Sequence, residues 1–532
     1  MSRASLLAVL AALVPAAGVA EPPAAGGRFD VVVYGATAGG VMAAVAAAEE
    51  GVRVALVDPG RHVGGMLSGG LGRTDMDRQE HVIGGLARRF FERVGSAYGR
   101  KVAWTFEPSV AERTLRGWLD EAGVRLFPGH RLSGVDVAKG VVLRLRCEGG
   151  NAFEGAVFVD ASYEADLVKA AGVSYTIGRE GRARYGESWS GRRELLPGHH
   201  QLAAAVPALD AGGRLLPHVQ PPESLGAIGE GDHRIQAYCF RLCLTRDPAN
   251  RLPIPRPERF DAARFGLVYA YLRALGERAT LGDFLGISEM PNRKTDINAG
   301  GGVSTNLPGA SWEYPEASPA RRAEIFREHL DWAHGLVFLL GHDPAVPERV
   351  RAEMSEYGLA RDEFVDTGHW PHQLYVREGR RMVGEHVLTQ HDLETRRTKH
   401  DSIGMAGYNI DIREIQWVAV PVPRFPTMQL EVLQEGYLSV PVEPWEIPYR
   451  SLLPRAAECT NLLVTSAISA SHVAYASFRM EPQYMIVGES AGVAAAQAVR
   501  ARRAVHAVDL VGLHARLRER GQILSLADAR GR

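Results

Sequence analysis

Residues 29–75, FDVVVYGATAGGVMAAVAAAEEGVRVALVDPGRHVGGMLSGGLGRTD, constrain the fold more than any other part of the chain. An apolar run, Val31 to Tyr34, meets a glycine-rich turn, Gly35 to Gly40. An alanine-rich segment from Val41 to Glu50 predicts a helix, and Gly51 is a good residue to end it. A second apolar run, Val52 to Val57, ends on Asp58. Strand, turn, helix, strand and acid in this order form the dinucleotide fingerprint.

Each part of the fingerprint has a physical role. Gly35 permits the tight turn, and Gly39 and Gly40 open the helix, Gly40 allowing it to pack closely on the sheet. The helix N-terminus points amide donors and the positive end of its dipole at a pyrophosphate. Asp58, 18 residues after Gly40, is placed to accept from ribose hydroxyls. Thr37 stands where the middle glycine of the pattern belongs, and its hydroxyl is expected to donate to phosphate in compensation.

The residues beyond Asp58 favour a flavin over a nicotinamide. Arg61, Gly64, Gly65, Ser68, Gly69 and Gly70 form a second glycine-rich loop directly after the second strand. Bare backbone there lets a ribityl chain and a ring approach closely. Near the other end, Asn461 to Ala467 reads as a buried strand. SASHVAYASFRMEPQYMIVGESAGVAAAQAV follows, with Ser469 at its start, Pro482 as an early-helix proline and Gly488 within the helix. A helix N-terminus at the flavin's pyrimidine edge would stabilise the reduced ring's negative charge.

With these segments in view, the chain resembles the FAD-dependent oxidoreductases that bacterial genome projects label xanthan lyase-associated. That family is related to the flavoprotein subunit of heterodisulfide reductase. The resemblance covers nearly the whole chain beyond residue 20. It rests on the fingerprint, on VFVDASYEADLVKAAGV (Val157 to Val173) and on QAYCFRLCLT (Gln236 to Thr245). MPNRKTDINAGGG (Met290 to Gly302), GHWPHQLYVREGRRMVGEHV (Gly368 to Val387) and the C-terminal segment complete it. It implies a two-part flavoprotein fold and non-covalent FAD, and leaves the reaction open.

At 532 residues the chain can bury a large core and two domains are expected. A formal charge of −1 points to neither nucleic acid nor an anionic membrane. Arg3, the apolar run Leu6 to Val14, and Gly18 and Ala20 read as a secretory signal cleaved after Ala20. The run is too short to span a bilayer, so no stable membrane insertion is expected and the protein is placed in the periplasm or outside the cell. Cys147, Cys239, Cys243 and Cys459 are expected to be buried thiols. Cys239 and Cys243 on one strand would stand roughly 13 Å apart, too far for a bridge. No closely spaced cysteine set suggests an iron–sulfur cluster.

The fold class expected is α/β: a discontinuous Rossmann-like FAD-binding domain with a β-meander, plus an inserted α+β substrate or cap domain. Residues 1–20 are the leader, 28–178 the first part of the FAD domain, 179–391 the cap and 392–532 the second part. Helices are predicted at Phe106 to Ala122, Ala320 to Leu340 and Arg361 to Thr389, the last broken by Pro371. Strand Val157 to Asp160 would bring Asp160 and Ala161 to the cofactor.

A flavin carries the redox step, so the protein must place substrate and move a proton. His472 is the candidate base and Arg479 the candidate anion or charge partner. The alternatives are a turn cap for His472 and pairing of Arg479 with Glu481 or Glu489. At helical spacing His372 and Tyr375 share a face, and with Arg377 they are placed in the substrate pocket. The alternative is a buried ion network built on Glu378 and the arginines. The polar loop Met290 to Gly302 is a further candidate for carbohydrate or carboxylate binding. No metal ligand set is found, and His199-His200 is assigned to an exposed loop. The expected activity is hydride transfer from a small polar, sugar-derived substrate to FAD, with oxygen, a quinone or a redox protein as acceptor. An electron-transfer subunit partnered by an iron–sulfur protein, and a non-enzymatic carbohydrate-binding flavoprotein, are the alternatives.

Overall fold

The computed structural model describes residues 26–196, 200–394 and 398–530. The expected leader and His199 lie outside the described residues. A five-stranded parallel sheet organises the rest. Its strands are β1 (Val31–Tyr34), β2 (Val54–Val57), β3 (Arg125–Phe127), β4 (Val157–Asp160) and β5 (Leu462–Val464), in the order β5-β4-β1-β2-β3. β1, β2, β4 and β5 are buried along their whole length, as continuous apolar runs in a parallel sheet require. Leu463 of β5 pairs with Val159 of β4, so the two ends of the chain share one sheet.

The fingerprint helix, α1 (Ala38–Glu49), joins β1 to β2. Its alanines give it a narrow surface, and a C-terminal helix packs directly on it. Of the other helices, α2 (Pro319–His342) lies between β4 and β5 in sequence, capped by the Ser318 hydroxyl, which accepts from Arg321 N at 3.2 Å. Beyond β5 come the short helix α3 (His472–Phe478) and the long α4 (Glu481–Ala501). A Cβ on Gly488 of α4 would stand 2.1 Å from the Gly39 carbonyl oxygen, and one on Gly492 2.3 Å from that of Ala43. The two helices therefore cross backbone to backbone. Gly39 and Gly488, expected at the cofactor, sit at this crossing.

The meander is present as strands Leu132–Ala138, Val141–Cys147 and Ala152–Glu154, with Gly26–Arg28 added in parallel at its edge. All four cysteines are buried and free. The segment between β4 and β5 carries α2 and several two- and three-stranded sheets. No helix among the described residues is long and apolar enough to cross a membrane.

Two expectations in this middle region are corrected. Residues 361–389 do not form a helix; they hold a short turn at Val365–Thr367 and strand Arg381–Met382, and are otherwise irregular. The reason is the burial of consecutive charges whose partners lie on different sides. Arg377 donates to Ala237 O, Glu378 accepts from His472, Arg380 pairs with Asp166 and Arg381 with Glu180. A helix would stack several of these on one face. Met290 to Gly302, expected as a polar loop, is likewise not a loop throughout. Thr295–Ala299 pairs with Leu285–Glu289 as a hairpin, and Lys294 is fully buried.

The helix crossing gives a direct test. Gly488→Ala forces a methyl against backbone that cannot move aside, and should destabilise the fold by about 1–3 kcal/mol. A lowered thermal midpoint for the cofactor-free protein checks this; an unchanged midpoint would mean that the crossing tolerates a side chain.

Candidate functional site

A cleft of about 930 Å³ opens where β1 meets α1. Gly35 makes the turn at φ +103°, and a Cβ there would come within 2.7 Å of Ser162 N, so no larger residue fits. Thr37 caps α1: its hydroxyl accepts from Gly40 N at 3.1 Å and donates to Ala161 O at 2.8 Å. The expected Thr37-to-phosphate bond is thus corrected, because that hydroxyl proton is already committed to Ala161. Val41 N is taken by the Thr37 carbonyl, so of the first-turn amides of α1 those of Ala38 and Gly39 are left without an acceptor in the helix.

Asp58 lines the cleft at the end of β2. Its Oδ2 accepts from Ala36 N at 2.5 Å and its Oδ1 from Gly60 N at 2.7 Å. Burial raises its pKa, and these two amides oppose that shift. The carboxylate therefore holds both glycine turns in place and keeps lone pairs for a ribose.

The second glycine loop forms the next wall. Gly65 has φ +55°, and a Cβ there would stand 2.3 Å from the Tyr163 hydroxyl. That hydroxyl accepts from Met66 N at 3.0 Å and donates to Glu481 Oε1 at 2.6 Å. Tyr163 thus ties the loop to the first turn of α4. Arg61 stands exposed at the mouth, 3.7 Å from Asp366. His62 stacks on His372 with ring centroids 3.7 Å apart. Burial, and then His62, push the His372 pKa down to about 3, so its imidazole is neutral. Among the described residues neither of its ring nitrogens has a hydrogen-bond partner. Lys169, Glu316, Arg322 and Arg380 close the opposite wall as an ion cluster around Asp166 and Glu316.

Of the expected site residues, the cleft brings together Gly35, Thr37, Asp58, Arg61, Gly65 and His372. Gly40 packs beneath, where a Cβ would meet the Gly35 carbonyl at 1.9 Å. Gly64 and Ser68 shape the second loop from behind, the Ser68 hydroxyl donating to Gly65 O at 3.2 Å. Ala161 accepts from Thr37 and Ser466. Asp160 turns away and receives Ser162 N, the Ser162 hydroxyl and Val168 N; burial pushes it up to about 6. Ser469 lies in the core and accepts from Gly384 N.

Apart from His372, the expected catalytic groups His472, Arg479, Tyr375 and Arg377 do not line the cleft. His472 is fully buried at the start of α3, with Nδ1 2.8 Å from Glu378 Oε2 and its amide on Glu180. Glu378 in turn meets Arg381 at 3.5 Å, and Arg381 meets Glu180 at 2.7 Å, which is the buried ion network. Arg479 pairs with Asp411, not with Glu481 or Glu489. Tyr375 and Arg377 stack together, with the guanidinium carbon 4.7 Å from the ring centroid, behind the second glycine loop. His200 is half-buried against Glu414 and Tyr437 instead of exposed. A set of three converging carboxylates, Glu107, Asp362 and Glu363, closes on the Lys294 ammonium. Tyr163 and Gln373 are among the cleft residues that sequence reading missed. Tyr163 directly follows Asp160-Ala161-Ser162, so its position one residue beyond that motif was the available signal.

Glu481 is buried, and its Oε2 has no partner among the described residues. Burial pushes its pKa up to about 8, moderated by the Tyr163 hydrogen bond. A carboxyl group raised above its unfolded value of 4.5 stabilises the fold most below that value. That contribution is lost as pH rises from about 4.5 to about 8. Glu481→Gln should therefore flatten the fall in thermal midpoint across this window and leave the variant relatively more stable at the alkaline end. Parallel pH profiles for the two proteins would refute the assignment.

The cleft fits an ADP-containing dinucleotide: glycine turns at Gly35 and Gly65 that admit no side chain, the start of α1 at Thr37, and an acid at the end of β2. A family model described as FAD dependent oxidoreductase matches residues 30–517. No curated protein matches the chain. Among solved structures, the chain is similar to T. acidophilum thioredoxin reductase at 20% identity, over 25% of this chain and 34% of that one, with a TM-score of 0.16. It is similar to L-amino acid deaminase from Proteus vulgaris at 17% identity, over 30% and 62%, with a TM-score of 0.24. Similarity to an anhydrotetracycline hydroxylase from Streptomyces rimosus is 19% identity, over 34% and 43%, with a TM-score of 0.20. The chain thus spans less than two thirds of each. The family match covers most of the sequence, and on it the chain belongs to the FAD dependent oxidoreductase family.

Proposed function

We propose that this flavoenzyme is exported and oxidises a small polar organic molecule, with sugar-derived compounds the first class to examine. The observation that carries the reading is the cleft: one continuous cavity joins Asp58 and the turn Gly35 to Thr37 before α1 to the neutral imidazole of His372, which among the described residues has no hydrogen-bond partner. FAD supplies two-electron acceptance when bound. The positive end of α1 behind Thr37 would offset pyrophosphate charge, and Asp58 would accept from the ribose. Tyr163 holds the second glycine loop in register with α4 through Glu481. His372 offers one donor and one acceptor to orient a substrate hydroxyl. Oxygen, a quinone or a redox protein completes the cycle. The leader-like residues 1–20 support export, and the sugar class rests on the family resemblance.

Purified protein supplied with FAD should be yellow, and an anaerobic panel of hydroxy acids, sugars and sugar acids should bleach it with at least one member. Asp58→Ala removes a charged acceptor and should weaken FAD retention about tenfold or more, read as flavin absorbance surviving gel filtration. Retention equal to the parent would remove Asp58 from the site. Protein recovered from outside the cytoplasm should begin at Glu21; an intact N-terminus on cytoplasmic protein would overturn export.

A further inference from the structure

Behind the second glycine loop lies a second group of charged residues that the cleft does not use. His372, Gln373 and Leu374 line the cleft, and Tyr375 to Arg377 continue directly into this group. Cys239 pairs with Tyr375 across an isolated bridge, and a Cβ on Gly70 would meet the Arg241 carbonyl at 2.0 Å. The loop backbone therefore separates the two places by a single layer.

The charges here do not balance. Arg241 is matched by Asp296 through two bonds of 2.6 Å, Arg73 by Asp75, Arg479 by Asp411 and Arg413 by Glu414. Arg377 is left over. It is 2% exposed, and among the described residues no carboxylate pairs with it. Its donors reach Ala237 O at 2.5 Å, Asn298 Oδ1 at 3.3 Å and Cys239 Sγ at 3.5 Å, all neutral acceptors. Burial lowers its pKa, and repulsion from Arg413 and Arg479 adds to this. A guanidinium stays charged under such conditions, and a counter-charge beside it would offset the cost of its burial. Arg413 is 8% exposed, and its buried Nε has no acceptor. Asn298, Tyr408 and His200 remain partly accessible around these groups.

We infer that Arg377, with Arg413 and Asn298 beside it, binds the carboxylate of the substrate, so that the molecule oxidised is an organic acid. The inference rests on the oxidoreductase reading above and narrows its substrate class. Arg377 donates to the anion, and Asn298 holds the guanidinium plane while the anion is absent. The rest of the substrate extends past Tyr375 toward the cleft.

The test titrates FAD-loaded protein with lactate, glucuronate and glutamate, each beside lactamide, glucose or glutamine, followed by calorimetry. At least one acid should saturate the protein and bind roughly tenfold or more tightly than its neutral counterpart. Arg377→Met should lose that preference. Because a buried arginine can be needed for folding, Asn298→Asp is the second variant. It places a carboxylate against Arg377, so it should hold or raise the thermal midpoint while abolishing acid binding. Equal binding of acids and neutral counterparts, no acid bound by the parent, or undiminished acid binding by Asn298→Asp would each overturn the inference. Colour is read on every sample. A colourless parent sinks the flavin reading by itself, and titration of the same colourless protein still decides the carboxylate site.

Discussion

The contact of α1 with α4, carbonyl against bare α-carbon at Gly39 and Gly488, is what the remaining geometry depends on. It brings segments more than 400 residues apart in sequence to van der Waals distance. With α4 seated on α1, its first turn lies where Glu481 can take the Tyr163 hydroxyl, and Tyr163 can in turn fix Met66. The fingerprint turn, the second glycine loop and the end of β4 are thereby held at one cleft. A side chain at either glycine would spread the helices and loosen all three at once.

Buried charge does the second part of the positioning. Desolvating an ion costs several kcal/mol unless partners surround it, so buried ion pairs specify arrangement more than they stabilise. Arg381, Glu180, Glu378 and His472 join three segments far apart in the chain. Lys294, fully enclosed by Glu107, Asp362 and Glu363, does the same for the hairpin that carries Asn298. Arg241 and Asp296 tie that hairpin to the second glycine loop, because Asp296 also accepts from Gly72 N and Arg73 N. Against this pattern of matched ions, Arg377, like Arg193, is held by neutral acceptors.

The parts of the site that sequence reading reached are local ones. Gly35, Asp58 and Gly65 follow strands by fixed offsets, and their backbone requirements can be recognised without knowing what packs on them. The errors have one cause. Thr37 was assigned to phosphate because the Ala161 carbonyl that takes its proton is 124 residues away. The stretch 361–389 was read as helix because charge spacing resembles a helical surface when the partners of those charges are unknown. His472 was placed beside the ring because its helix was, whereas Glu378 holds it in the core.

Alternating apolar runs, glycine turns and an alanine-rich helix determined, by themselves, an α/β sheet with a dinucleotide-binding turn, since these follow from short-range sterics and burial. Which carboxylate meets which guanidinium, which glycine faces a helix instead of a cofactor, and which cation is left without a partner were decided only by the tertiary structure. Such choices depend on distances between residues hundreds of positions apart, and local sequence carries no record of those distances.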